Sequence, residues 1–254
     1  MTHRLATATE SLDMRLTHKI KKLLDPDLLR SMRQHTARVF LTRRLVFRID
    51  PERIIASIDR KKFDAIHDRH AVHEPGDAPE KYLELRRWVD VNVRRIRELE
   101  LDFGFRKRVL DIGCGAGYFL YICKWLGHDV LGLDIDESAM FTQLTKLLRI
   151  PRVIWRIERY VPLPDLDAKF DVITAYMICF NDHKTDHIWG PPEWEFFLDD
   201  LAQHLTTTGR VHLEFNREFD GTWYTQELHD YFAKRGADVD RHRVSFTAKT
   251  LARA

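Results

Sequence analysis

The sequence predicts an α/β chain: a doubly wound, mostly parallel sheet with helices on both faces, preceded by an α-helical N-terminal extension. Three observations predict it. The apolar run Val109-Leu110-Asp111-Ile112 leads directly into three glycines at 113, 115 and 117. A helix-like stretch from Tyr118 to Leu126, closed by Gly127, is followed by a second apolar run that begins at Val130 and ends on the acid Asp134. Apolar runs and segments of helical period then alternate through the rest of the chain, as the units of a parallel sheet do.

In the extension, Leu23, Leu24, Leu28, Leu29 and Met32, then Val39, Phe40, Leu41, Leu45, Val46 and Phe47, recur at amphipathic helical spacing, interrupted at Asp25-Pro26 and Asp50-Pro51. Asp50-Pro51-Glu52 places a capping acid ahead of a proline at the first helical position and opens a helix through about Lys62. The stretch from His70 to Glu80 holds Pro75-Gly76-Asp77-Ala78-Pro79, the clearest turn-rich linker in the chain. The expected organisation is therefore a basic helical extension over 1–78, a lid in role, and an α/β domain over 79–254.

Within that domain a long helix is expected from Pro79 to about Leu99, with Tyr82, Leu85, Trp88, Val89, Val93 and Ile96 on one face. After the second strand Asp136 is placed to cap a helix over Glu137 to Leu148, and Val153 to Ile157 reads as a short strand. Phe170 to Tyr176 reads as the fourth strand, largely apolar as a strand buried on both faces should be. Pro191-Pro192 starts a helix over Glu193 to Leu205, Val211 to Phe215 is a fifth strand, and Thr225 to Lys234 a last helix. Only Asp238 to Lys249 then remains, room for a tight hairpin or for one strand.

Composition bounds the function. Hydrophobic residues make up 44% of 254, enough for a substantial core, while the longest apolar run, Val172 to Phe180, is far short of the roughly 20 residues that cross a bilayer. With no apolar signal core at the N-terminus, a cytoplasmic protein without a membrane span is expected. Cys114, Cys123 and Cys179 have no C-x-x-C spacing, so neither a disulfide framework nor a zinc site is indicated. The net charge of +2 hides an asymmetry, because residues 1–108 hold 25 Lys and Arg against 17 Asp and Glu and the remainder 16 against 22. Such a basic arm can dock on an acidic body or meet a nucleic acid. Its regular apolar spacing and scarcity of aromatics beyond Phe40, Phe47 and Phe63 favour docking.

A glycine turn after a first strand and an acid at the end of the second are what a nucleoside-bearing cofactor requires. The glycines let the backbone pass close to the ligand, and the acid accepts from two ribose hydroxyls. A dinucleotide site has G-x-G-x-x-G, but here position 118 is tyrosine, and Asp111 would repel a pyrophosphate while attracting a cationic amino group.

The pattern Asp111-x-Gly113-x-Gly115-x-Gly117, with Asp134 beyond it, resembles motif I and the ribose-binding acid of the class I S-adenosylmethionine-dependent methyltransferases, which share a Rossmann-like fold. The resemblance extends from about Tyr82 to the C-terminus and implies S-adenosylmethionine as cofactor. Gly113, Cys114, Gly115 and Gly117 would then approach its methionine part, with Asp111 near the ammonium group. Asp134 and Ile135 would meet the ribose and adenine, and Glu158 the adenine amino group. The acceptor is expected past the fourth strand, where Tyr176 is followed by Asn181, Asp182, His183, His187 and Trp189. An in-line methyl transfer needs the acceptor oriented and, for some acceptors, a proton removed, a task suited to histidine. His183 is the expected base, with Tyr176 beside it, and Asn181, His187, Trp189 and Asn216 are expected acceptor contacts. No metal is expected, since the Gly190-Pro191-Pro192 break leaves little helix to hold His183 and His187 as a pair. The expected acceptor is a small or medium-sized molecule methylated on oxygen or nitrogen. An RNA or other nucleic-acid acceptor, and a cofactor-binding partner protein without catalysis, are the alternatives. The acceptor's identity and the oligomeric state are open.

Overall fold

The computed structural model describes residues 49–71 and 80–252, of which those from 50 onward belong to one compact unit. The runs Leu23 to Met32 and Val39 to Phe47 lie outside the described residues, as does the Pro75 to Pro79 linker.

Two helices, α1 (Pro51–Ala56) and α2 (Arg60–His70), stand where one was expected through Lys62. The reason is a second cap: Asp50 opens the first helix by accepting from the Glu52 amide, and Asp59, past the C-cap Ser57, opens the second by accepting from the Lys62 amide. The expected helix from Pro79 to Leu99 is likewise divided into a 3-10 turn, Glu80–Leu83, and α3 (Leu85–Glu98). Glu84 leaves the helical region at ψ 73°, and the turn is held by the Trp88 indole, which donates to the Lys81 carbonyl at 2.6 Å and stacks on Tyr82. Helix α3 buries Leu85, Val89, Val93 and Ile96.

The sheet comprises β1 (Arg108–Ile112), β2 (Asp129–Asp134), β3 (Arg152–Ile154), β4 (Phe170–Ile178), β5 (Leu205–Phe215), β6 (Asp238–Asp240) and β7 (Arg243–Thr247), in the order β3-β2-β1-β4-β5-β7-β6. The first five strands are parallel, and β7 runs antiparallel between β5 and β6. The tail thus forms the tight hairpin, followed by a short helix. Helices α4 (Tyr118–Trp125), α5 (Ala139–Leu147), α6 (Pro191–Gln203), α7 (Gln226–Lys234) and α8 (Ala248–Leu251) complete the chain. Helix α3 packs on α1 and α4, α2 on α5, and α6 on α7 and α8, so helices flank the sheet in a Rossmann-like fold. The core is aromatic under α6, where Trp194 meets Phe197, Phe215 and Phe232.

Three boundaries differ from expectation for identifiable reasons. Helix α5 is capped by Ser138, whose hydroxyl accepts from the Phe141 amide, because Asp136 is drawn instead to Arg152 at 2.5 Å. Strand β3 stops at Ile154, not Ile157: its one neighbour β2 ends at Asp134, whose carbonyl takes the Trp155 amide as the last ladder bond. Strand β5 starts six residues earlier than its apolar run, at Leu205, across the polar Thr206-Thr207-Thr208-Gly209. The register to β4 shifts there, and a Cβ on Gly209 would sit 2.9 Å from the Phe170 carbonyl.

Candidate active site

The strand order reverses between β1 and β4, and the carboxyl ends of these strands open onto a cavity of about 840 Å³. Strand β1 delivers the turn Gly113 to Gly117, in which all three glycines are left-handed at φ 71°, 52° and 79°. Gly117 is also a close-approach position, since a Cβ there would lie 3.1 Å from Ile150 and 3.2 Å from Thr145. Strand β2 makes room from the other side: Gly132 admits the Cys114 side chain, which a Cβ would meet at 2.6 Å. Burial pushes the Cys114 thiol far up, so it packs as a neutral group.

At the end of β2 the Asp134 carboxylate accepts from the Gly115 amide at 2.5 Å and from the Ile135 amide at 2.8 Å. Each oxygen keeps acceptor capacity on the cavity side. Desolvation raises the Asp134 pKa, and the two amides oppose the rise. Asp111 is fully buried beneath the turn and accepts from the Thr174 hydroxyl at 2.6 Å. Burial lifts its carboxyl to about 7 against the opposing pull of Thr174 and Arg95.

The third wall comes from α3. Arg95 lies 3.8 Å from the centre of the Tyr176 ring and pairs with Glu214 of β5 at 2.8 Å. Burial would raise the Glu214 carboxyl, yet His212 and Arg95 outweigh it and hold it at about 2. Burial sends the Tyr176 phenol well above its ordinary value, and its hydroxyl is buried without a hydrogen-bond partner.

Asp111, Gly113, Cys114, Gly115, Gly117, Asp134, Ile135, Glu158, Tyr176 and Trp189 all line the cavity. His183, Asn181, His187 and Asn216 do not. The His183 ring is 2.9 Å from Glu218 in the loop after β5, whose other oxygen accepts from the Lys184 amide. Asn181 is buried and its carbonyl accepts from Trp189, His187 is exposed, and the Asn216 amide donates to the Met177 and Ile178 carbonyls. The cavity gains Tyr82, Trp88, Asn92 and Arg95 from the segment before β1, and Phe141, Arg159 and Asp182 elsewhere. Tyr82 and Trp88 were legible as an apolar face, whereas nothing local separates Arg95 from Arg86, Arg87, Arg94 and Arg97 on the same helix. Asp182, which receives Arg159 at 2.7 Å, takes the position expected of its neighbour His183.

The family profile described as a methyltransferase domain matches residues 109–209, from the first strand into the fifth. Over that stretch the chain is similar to methyltransferase domains. A probable S-adenosylmethionine-dependent methyltransferase of Mycolicibacterium smegmatis is 33% identical over 81 residues, 32% of this chain and 28% of that protein, so the chain spans little more than a quarter of that relative. Among solved structures, a TehB-like S-adenosylmethionine-dependent methyltransferase of Corynebacterium glutamicum is 16% identical at a TM-score of 0.45, over 67% of this chain and 99% of that one. CalS10 of Micromonospora echinaspora, an amino pentose methyltransferase, is 19% identical at a TM-score of 0.43, over 64% and 90%.

The side chains around the cavity fit S-adenosylmethionine. The Asp134 carboxylate suits a vicinal diol, the buried acid Asp111 a cationic amino group, and three left-handed glycines a ligand laid against the backbone. The cavity volume falls within the roughly 300 to 1,000 Å³ usual for small-molecule sites.

Proposed function

We propose that this chain is an S-adenosylmethionine-dependent methyltransferase acting on an oxygen or nitrogen of a small or medium-sized acceptor. The observation that carries the reading is the Asp134 carboxylate, held by the Gly115 and Ile135 amides at the lip of the glycine turn. When bound, the cofactor supplies an electrophilic methyl group; the protein's task is placement. Asp111, Gly113, Cys114, Gly115 and Gly117 hold the amino-acid end, Asp134 and Ile135 the ribose and adenine, and Glu158 the adenine amino group. On the acceptor side Tyr82, Trp88, Tyr176 and Trp189 supply aromatic walls that exclude water and restrict the acceptor's approach.

Tyr176, kept neutral by burial, serves as a hydrogen-bond donor to the acceptor and not as a base. Glu218 engages His183 through Nδ1 and leaves Nε2 as the basic nitrogen, but the ring does not line the cavity; Asp182 stands closer to it for the same task. An amine acceptor in its neutral form needs neither. Asn181, His187 and Asn216 shape the loop that presents this wall, and residues 1–78 select the acceptor for the domain over 79–254. A cytoplasmic setting belongs to the same reading and is supported by three free cysteines. Among the described residues no helix is long and apolar enough to cross a membrane.

Calorimetric titration with S-adenosylhomocysteine tests the cofactor half, and absence of binding would end the proposal. Transfer of labelled methyl groups to pooled small-molecule extracts and, separately, to RNA tests the acceptor half. Label confined to RNA would replace the small acceptor by a nucleic acid.

A further inference from the structure

A second cavity, of about 860 Å³, lies between α2, α4 and α5 and shares no lining residue with the cofactor cavity. Five exposed cations surround it, Lys62, Arg69, Lys124, Lys146 and Arg149, against one acid, Asp59. This runs against the charge of the domain, which is acidic from residue 109 onward. Among the described residues only one of the five has a carboxylate partner. Lys62 pairs with Asp59 at 3.2 Å, but Arg69 donates to the neutral Gln143 and Lys124 to the Arg149 carbonyl. Neither Lys146 nor Arg149 has a carboxylate within ion-pairing distance among the described residues. Beneath the charges the floor is apolar and aromatic, formed by Ile58, Ile66, Leu148 and Tyr121.

The end of α5 fixes where Arg149 stands. Arg149 follows the C-cap of α5 at φ 53°, the left-handed position that favours glycine. Helices α4 and α7 place Gly127 and Gly236 at the equivalent position, at φ 93° and 85°, and α3 places Glu100 there at φ 54°. Helix α5 holds a long cation there, which sets Arg149 at the rim of the basic cavity.

We propose that this cavity is a second ligand site, for a small organic polyanion bearing two or more phosphate groups. Five cations in so bounded a volume call for condensed negative charge, and the apolar floor accommodates an organic body attached to it. The cations ring a single open groove of this size, which suits a small molecule better than the continuous track a nucleic-acid backbone follows.

Thermal shift and calorimetry on the full chain with inorganic triphosphate and with UTP test this, UTP being chosen because it carries no adenosine for the cofactor cavity to read. Both are expected to bind, UTP the more tightly through its base, with affinity falling as salt rises. Arg149→Gly is expected to weaken UTP binding about tenfold or more while leaving the melting temperature of the free protein unchanged or higher. Lys146→Glu should weaken UTP equally, and saturating S-adenosylhomocysteine should not displace it. The proposal is overturned if neither anion binds at millimolar concentration, if both variants keep wild-type affinity, if S-adenosylhomocysteine competes, or if only single-stranded RNA binds in a manner that depends on Arg149 and Lys146.

Discussion

The Asp134 carboxylate and the Gly115 amide are 2.5 Å apart, so the end of β2 grips the glycine turn that follows β1. One side chain therefore both shapes the turn and faces the cavity. Asp134→Ala is expected to weaken S-adenosylhomocysteine binding about 100-fold or more, through two lost charge-assisted hydrogen bonds to the ribose of roughly 1.5 to 3 kcal/mol each. Asp134→Asn keeps an acceptor for Gly115 and should fall between. A full wild-type thermal shift for Asp134→Ala with added cofactor would refute the ribose assignment.

Asp111 ties stability to pH. Its carboxyl is raised by burial from 3.8 unfolded to about 7 folded, so the folded state binds the extra proton between those values. Stability is then expected to decline as pH rises from about 4 to about 7, by up to about 4 kcal/mol for this group alone. Asp111→Asn should flatten that part of a denaturation series measured at several pH values. Binding a ligand with a cationic amino group beside Asp111 favours the carboxylate, so cofactor binding near pH 6.5 should release protons. Calorimetry in buffers of different ionisation enthalpy measures this directly.

Glu214 acts in the opposite sense. Held at about 2 by His212 and Arg95 against a value of 4.5 unfolded, it contributes stability that is complete above pH 4.5 and disappears as pH falls toward 2. Arg95→Met removes the nearest cation from this carboxylate, of which only 6% of the side chain is exposed, leaving Arg243 at 3.7 Å and His212 at 3.9 Å, and is expected to destabilise the fold by about 1.5 to 3 kcal/mol. Arg95→Met combined with Glu214→Gln should recover much of the loss. Chemical denaturation of the four proteins of this cycle decides it, and simple additivity would show that the pair is not coupled.

Gly132 and Cys114 form a steric pair across β2 and the turn. Gly132→Ala brings a methyl group within 2.6 Å of the Cys114 sulfur and 3.2 Å of Leu120, and is expected to destabilise by about 1 to 3 kcal/mol while displacing the turn and weakening the cofactor. Adding Cys114→Ala removes the sulfur and should restore part of both. Restoration of neither property would place the strain elsewhere.

The glycine turn and the acid at the end of β2 were legible in the sequence because everything that shapes them is local. Val109 to Gly117 forms a strand, a glycine turn and a helix start within a few residues, and Asp134 is read from the end of the next apolar run. The Asp50 cap and the helix over Gln226 to Lys234 were legible for the same reason.

What the tertiary structure decided depends on residues distant in sequence. Arg95 becomes part of the cavity because Glu214, 119 residues later, and the Tyr176 ring draw it out of a helix with four other arginines. His183 turns away from the cavity because the β4 register breaks after Ala175, Met177 adopts φ 56°, and Glu218, 35 residues on, captures the ring. Strand β3 ends early for want of a partner, and β5 begins early across polar residues because β4 lies beside it. Local sequence sets which backbone shapes are available to each segment; which side chain then faces the ligand is set by partners that only the folded chain brings within hydrogen-bonding distance.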